Sequence, residues 1–151
     1  MSIKIKIKII STVYALVFSY NISAKNIIPC GTGSQIIESK KLFRGKYVTE
    51  YACVNEEGKL NGGKHIYYKD SLIDKCDYIN GLAHGVCSSW YFTGEKYYTN
   101  NFNNGFAQGE SIMWHRNGVM KYWQYYENSK PAGIWKVWNE KGELIEIWDR
   151  K

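Results

Sequence analysis

The chain has 151 residues, four cysteines and a formal net charge of +6. This length is sufficient for one domain. Three of the positive charges are Lys4, Lys6 and Lys8, in the first 24 residues, which contain no acid. Without those residues the formal charge is +3. So small a charge argues against a nucleic-acid partner, because nucleic-acid-binding proteins neutralise several phosphates with Lys and Arg.

The first residues have the three parts of a secretory signal. The lysine-rich residues 1–8 precede an uncharged, largely apolar run over residues 9–20, and small residues follow up to Ala24. The apolar run is shorter than the roughly 20 residues that a membrane-spanning helix needs. We predict a signal peptide over residues 1–24 and export to the bacterial cell envelope, as a periplasmic or secreted protein. A retained membrane anchor is the alternative.

Residues 25–46 show no regular pattern, and we interpret them as a segment that caps the repeats that follow. Within it, residues 35–42 are compatible with one short helix or with an extended chain. A cap is expected because the terminal unit of a repeat array has one side without a neighbour.

From residue 47 to residue 151 the chain repeats every 23 or 24 residues. Each unit begins with a glycine that is followed five residues later by an aromatic residue. The glycines are Gly62, Gly85, Gly109 and Gly133, and the aromatic residues are Tyr67, Trp90, Trp114 and Trp138. Periods of this length are typical of repeat proteins, in which each unit packs only against its neighbours. Residues 47–58 form an incomplete leading unit.

Turn residues divide each unit into two strands. Nine residues after each leading glycine stands Ser71, Gly94, Gly118 or Gly142. A second aromatic column, Tyr78, Phe102 and Tyr126, follows three residues before another turn position at Gly81, Gly105 or Ser129. The segments between turns are six to nine residues long and rich in aromatic and β-branched residues, which favours strands. We therefore predict an all-β fold, an elongated single-layer antiparallel meander of about four β-hairpin repeats and a partial leading unit.

The meander restricts how the four cysteines can pair. Cys53 and Cys76 share a repeat position, so they lie two strands apart, about 9 to 10 Å, which exceeds the roughly 7 Å limit for a disulfide. Cys53 and Cys87 are separated by three strands. The expected pairs are Cys30 with Cys53 and Cys76 with Cys87, as is typical of an exported protein. Four separate thiols are the alternative, and no cysteine or histidine pair has the spacing of a zinc site.

The recurring phrase G-x-x-x-x-[WY]-x-x-x-G, followed by [YF]-x-x-G, occurs over residues 85–94 with 102–105 and again over 109–118. It resembles the MORN-repeat variant family, and in particular its bacterial group of antitoxin components. The resemblance covers residues 47–151. It implies stacked hairpins, a role in protein interaction, scaffolding or membrane-surface association, and no catalytic residues. An exported protein would not meet a toxin that acts in the cytosol of the cell that makes both. The antitoxin role therefore requires a target outside that cytosol.

The aromatic columns have two interpretations. In a single-layer sheet, large flat side chains shield one another and the backbone. Alternatively, partly exposed Trp and Tyr form a binding surface. The candidate binding residues are Tyr67, Trp90, Trp114 and Trp138 of the first column and Tyr78, Phe102 and Tyr126 of the second. We expect a protein partner, with a cell-envelope glycan or a phospholipid surface as the alternative.

The sequence does not indicate an enzyme. His65, His84 and His115 occupy different repeat positions, so repetition does not bring them together in one site. No nucleophile motif is found, and we predict no catalytic residue, metal ligand or cofactor. The oligomeric state is not indicated.

Overall fold

The computed structural model describes residues 28–150, which form ten strands in one antiparallel sheet with the strands in chain order. The strands are β1 (Gln35–Phe43), β2 (Lys46–Val54), β3 (Leu60–Tyr68), β4 (Ser71–Ile79), β5 (Leu82–Trp90), β6 (Lys96–Asn103), β7 (Phe106–Trp114), β8 (Met120–Glu127), β9 (Lys130–Trp138) and β10 (Leu144–Arg150). The predicted all-β meander of hairpins is confirmed. Residues 35–42 are extended, as part of β1. The signal peptide prediction falls outside the described residues, and the described part of the chain has no helix that could cross a membrane.

Two kinds of connection alternate along most of the sheet. Two-residue turns such as Asn80–Gly81 and Asn104–Gly105 have positive φ at both positions, as the tightest hairpins require. Five-residue loops span 91–95, 115–119 and 139–143. In each loop the N–H of the first residue donates to the carbonyl of the fifth, for example Tyr91 to Glu95 at 2.8 Å. The predicted turns at these connections are confirmed.

One turn prediction needs correction, and the leading unit ends in a different type of connection. Ser71 is the first residue of β4, and the preceding turn is Lys69–Asp70, because this unit has a two-residue turn where the later units have five-residue loops. Gly58 belongs to a five-residue loop over 55–59. It lies at the end of the sheet where the later units have two-residue turns. The leading unit therefore has a five-residue loop at this end, whereas the later units have their five-residue loops at the opposite end.

The leading glycines lie inside strands and mark bulges. In β5, residues 85–87 oppose the single residue Cys76 of β4, and in β7, residues 108–110 oppose Asn101 of β6. The same three-to-one pairing occurs in β3 and β9. A bulge bends its strand and increases the twist. The strands that carry the leading glycines are therefore bent once in every 23 to 24 residues.

The five-residue loops of successive units contact one another. The Tyr91 hydroxyl donates to the Trp114 carbonyl at 2.9 Å, and His115 Nε2 lies 2.9 Å from the Trp138 carbonyl. Arg116 lies over the Tyr91 ring, with 4.5 Å between Cζ and the ring centroid. These contacts join residues one repeat apart, so the loops form a stack along one end of the sheet.

Both predicted cysteine pairs are confirmed. Cys30 pairs with Cys53 at a Cα separation of 5.3 Å, and Cys76 pairs with Cys87 at 4.2 Å. The alternative of four separate thiols is wrong, since no free cysteine remains among them. Disulfides of this kind are typical of an oxidising, exported environment.

The first disulfide holds the N-terminal segment against the bulge of β3. The Gly63 N–H donates to the Pro29 carbonyl at 2.9 Å, and the Gly31 N–H donates to the Asn61 carbonyl at 3.1 Å. The approach is so close that a Cβ on Gly62 would lie 2.7 Å from both the Pro29 oxygen and the Cys30 Cα. Glycine is therefore required at position 62 for two reasons: its φ of 113° and the segment packed against it.

Buried side chains concentrate in the first strands. Val48, Ile66 and Ile73 form a core against which Phe43, Tyr68 and Phe92 pack. In β6 to β10 the only buried residue is Val137. The later strands are therefore stabilised mainly by their neighbours in the sheet.

We predict that Gly62→Ala destabilises the protein more than Gly109→Ala. Both glycines have positive φ, so both substitutions introduce backbone strain. At position 109 the nearest atom to a new Cβ is Asn101 Nδ2 at 3.9 Å, so only Gly62→Ala adds a clash with backbone. The expected additional loss in free energy of unfolding is about 1–3 kcal/mol, measured by denaturant titration with the disulfides intact. Equal losses would show that the segment adjusts without cost.

Candidate binding groove

The two aromatic columns project from opposite faces of the sheet. Cross-strand partners share a face, and successive residues of a strand alternate between faces. Tyr98 pairs with Ser89 on one side and with Met113 on the other. Trp90 and Trp114 directly follow those partners, so they point to the opposite face.

We name the faces by their residues. The groove face carries Lys64, Asp74, Tyr98, Asn100 and Tyr122, together with the second aromatic column, Tyr78, Phe102 and Tyr126. The tryptophan face carries the first column, Tyr67, Trp90, Trp114 and Trp138. The structure therefore does not bring the seven predicted binding residues together on one surface.

On the tryptophan face the column does not form a stack of rings. In the described part of the chain, no ring contact joins Trp90, Trp114 and Trp138 to one another. Tyr67 packs edge-on against Tyr51, with 5.9 Å between ring centroids. The Lys96 ammonium lies 5.1 Å from the centroid of Trp114. These residues are spaced along the sheet and interact with their own neighbours.

The groove face has two adjoining cavities of about 440 and 210 Å³. Tyr97 and Tyr98 line both, so the cavities form one groove that crosses the strands. The sheet curls toward this face, because Arg44 in the β1–β2 turn reaches the end of β5. Its guanidinium donates to the Ser89 hydroxyl and, at 3.0 Å, to the Trp90 carbonyl.

The larger cavity is the charged end of the groove. Lys41, Arg44 and Lys64 line it together with a single acid, Asp74. The Arg44 guanidinium lies 4.0 Å from the Asp74 carboxylate. It also lies over the rings of Phe43 and Tyr97, at 4.7 and 4.8 Å from their centroids.

The other two cations of the charged end are held by neighbouring side chains. Lys64 lies 4.9 Å from the centroid of the Tyr78 ring, and Lys41 is paired with Glu50. All three cations are therefore positioned without a ligand.

Burial shifts the pKa of two groups at this end. It raises the pKa of Asp74 above its ordinary value, although the Ser89 hydroxyl and the charges of Lys64 and Arg44 act in the opposite direction. Burial likewise raises the pKa of the Tyr98 phenol. A carboxyl and a phenol thus lie in a partly desolvated site, where charge interactions are stronger than in water.

The smaller cavity is the neutral end of the groove. Asn100, Ser111 and Gln124 are direct cross-strand partners in β6, β7 and β8. They form a polar row about 10 Å long, since neighbouring strands are about 4.8 Å apart. Gln124 Oε1 accepts a hydrogen bond from the Tyr126 hydroxyl at 3.3 Å. Within residues 28–150, the side chains of Asn100 and Ser111 make no hydrogen bond with another residue.

Aromatic side chains flank the polar row on both sides. Tyr98 and Tyr122 are joined in register through Met113, and Phe102 and Tyr126 lie on the other side. Beyond the groove, an aromatic cluster continues to β10, with ring centroids of Tyr126 and Trp135 5.4 Å apart and those of Trp135 and Trp148 6.4 Å apart.

Sequence reasoning found the second aromatic column but missed the groove residues beside it. Their signal is the same period: Cys76, Asn100 and Gln124 lie two residues before the members of that column, and Asp74, Tyr98 and Tyr122 lie four residues before them. Alternation along a strand places residues at these offsets on one face. The row could therefore have been found by extending the column along each strand.

The comparisons with known proteins leave the family open. No family model, curated protein or solved structure matches the chain, and the likeness to MORN-repeat variant proteins stays a prediction. Within residues 28–150, no group of three or more His, Cys, Asp or Glu residues is arranged to hold a metal ion.

We predict that Asp74 titrates above the ordinary range of an aspartate and that Arg44→Gln raises its pKa further, because the substitution removes a stabilising charge. An NMR titration of the side-chain carboxyl carbon measures both values. Lys136→Gln, which removes a cation from the tryptophan face, is the control and should leave the pKa of Asp74 unchanged.

The same shift predicts a pH-dependent stability. Because the folded-state pKa of Asp74 is above the unfolded value, its ionisation costs stability. The free energy of unfolding of the natural protein should fall relative to that of Asp74→Asn as pH rises from the unfolded pKa through the folded one. Below the unfolded pKa the difference should be constant. A difference that changes in the opposite direction with pH would show that the cations dominate over burial.

Proposed function

We propose that this chain is an exported, non-catalytic binding protein and that its ligand lies in the groove that crosses the sheet. The observation that supports this most directly is the polar row of Asn100, Ser111 and Gln124, which has unused hydrogen-bonding capacity between two rows of aromatic side chains. Binding sites typically combine apolar walls with a few converging polar groups.

The proposal moves the binding surface predicted from sequence. The second aromatic column stays in it, with Tyr78 and Phe102 in the charged end and Tyr126 beside the polar row. We give the first column a structural role, since the Tyr67 ring packs against Tyr51 and the Trp114 ring lies beside the Lys96 ammonium. A protein partner is what the resemblance to the MORN-repeat variant family implies, and a glycan or phospholipid surface is the alternative.

Binding alone accounts for the chemistry of the groove. Asp74 is the single acid that lines the charged end, and the second carboxylate nearby, that of Glu50, is held by Lys41. The disulfide occupies both cysteines of the groove floor, Cys76 and Cys87. The two cysteine pairs also support the proposed location in the periplasm or outside the cell.

The test compares capture of cell-envelope and secreted material by the purified, oxidised protein and two variants. The groove variant is Asn100→Ala/Ser111→Ala/Gln124→Ala. The control variant, Thr99→Ala/Lys136→Ala, changes the tryptophan face of the same region. We expect the natural protein and the control to retain the same material. The groove variant should bind at least about tenfold more weakly, since each hydrogen bond contributes about 0.5–1.5 kcal/mol.

Captured material is analysed for protein, carbohydrate and lipid, and folding of each variant is checked by circular dichroism. Equal capture by the groove variant and the natural protein would exclude the groove as the binding site. Loss of capture by the control variant alone would assign binding to the tryptophan face.

A further inference from the structure

We propose that the groove ligand is an acidic oligosaccharide, with uncharged sugars on the polar row and a carboxylate or phosphate group at Arg44 and Lys64. This inference rests on the proposed function and adds the chemical class of the ligand. It depends on three features of the groove: its hydrogen-bonding groups, its orientation across the strands and its charge.

The hydrogen-bonding groups match sugar hydroxyls. Asn and Gln side chains both donate and accept, and a Ser hydroxyl does the same. A sugar hydroxyl is also a donor and an acceptor, so each contact can be satisfied in either direction. Sugars have apolar C–H faces as well, and the rings of Tyr98 and Tyr122 offer flat apolar surfaces beside the polar row.

The orientation of the groove disfavours a polypeptide. The backbone groups of β6, β7 and β8 are paired within the sheet, so a peptide lying across this face finds no backbone partners. Extended peptides are usually bound by addition to the edge of a sheet, and helices are bound in apolar grooves. This groove is on a face, and a row of polar side chains crosses its neutral end.

The length of the groove suits a chain of several sugars. From Lys64 in β3 to Gln124 in β8 the lining crosses five strand spacings, or roughly 24 Å measured along the curled sheet. Lys41 and Phe43 of β1 complete the charged end. Because Tyr97 and Tyr98 line both cavities, one ligand can occupy both ends. A ligand that reached only the neutral end would not contact the cations.

The charged end selects for an acidic group. Three cations and one acid line it, and Glu50 beside them neutralises Lys41, so one positive charge is in excess. Arg44 directs two hydrogen bonds to Ser89 and Trp90, and a guanidinium has five N–H donors, so three remain. Guanidinium groups bind carboxylates and phosphates through paired hydrogen bonds. Since Ser89 and Trp90 already orient Arg44, less ordering is needed when the ligand binds.

The test measures binding of the natural protein to oligosaccharides of equal length that are uncharged, carry a uronic acid, or carry a phosphate. Isothermal titration at one salt concentration supplies the dissociation constants, because charge interactions depend on salt. We expect the acidic oligosaccharides to bind at least about tenfold more tightly than the uncharged one, as for a hydrogen bond to a charged group. The carboxylate and phosphate series show which acidic group is preferred.

Three variants locate the interaction. Lys64→Gln should remove most of the preference for acidic over uncharged oligosaccharides while leaving the affinity for the uncharged one in place. Lys136→Gln removes the same charge from the tryptophan face and should leave the preference unchanged. Asn100→Ala/Ser111→Ala/Gln124→Ala should weaken binding of both kinds. Each variant is compared at the same folded fraction.

The outcomes separate this inference from the proposed function. If the groove variant loses envelope capture but no oligosaccharide binds, the ligand class is wrong and the binding function stands. Capture of a discrete protein, or binding only to vesicles of anionic phospholipid, would also overturn the glycan proposal. Equal binding of acidic and uncharged oligosaccharides would overturn the role of Arg44 and Lys64. Both proposals fail if the groove variant captures as much material as the natural protein.

Discussion

The structure depends on the pairing of each strand with its two neighbours, because the described sheet is a single layer. A sheet normally buries one face against another layer, and here the only substantial core is the cluster of Val48, Ile66 and Ile73. Farther along, backbone ladders, cross-strand aromatic contacts and the stacked loops take over. The contacts from Tyr91 to Trp114 and from His115 to Trp138 repeat the same link from one unit to the next. Stability therefore accumulates through neighbouring repeats.

The glycine period connects the sequence to the groove. Each leading glycine allows a bulge in which three residues oppose one, and each bulge bends the sheet. The curl is large enough for Arg44 to reach Ser89 across two intervening strands. A flat meander would leave these residues apart and would have no recess on either face. The regularly spaced glycines, which in the sequence indicate only a repeat architecture, therefore also produce the concave surface of the sheet.

Turn chemistry and strand order were predictable from the sequence, and the faces were not. Asn–Gly turns and the strand separation of Cys53 and Cys76 follow from local rules, so the meander and the cysteine pairs could be derived. Which face a side chain occupies depends on a count of residues, and an irregularity that adds a single unpaired residue changes that count by one. Tyr97 and Lys121 are such unpaired residues, and each lies between a member of the first column and the next member of the second. These irregularities prevented assignment of the two columns to opposite faces. Asn100 and Ser111 are ordinary polar residues until their register is known.

The two ends of the groove have different structural requirements. A neutral row such as Asn100, Ser111 and Gln124 needs only correct register, which successive repeats supply. Partly buried charges need fixed partners, because an unpaired charge in a desolvated site is costly. The charged end lies beside the buried core and the Cys76–Cys87 disulfide, where Arg44 is held by hydrogen bonds and ring contacts at once. The most constrained part of the sheet therefore carries the charged groups, while the repeats that follow extend the groove with neutral ones.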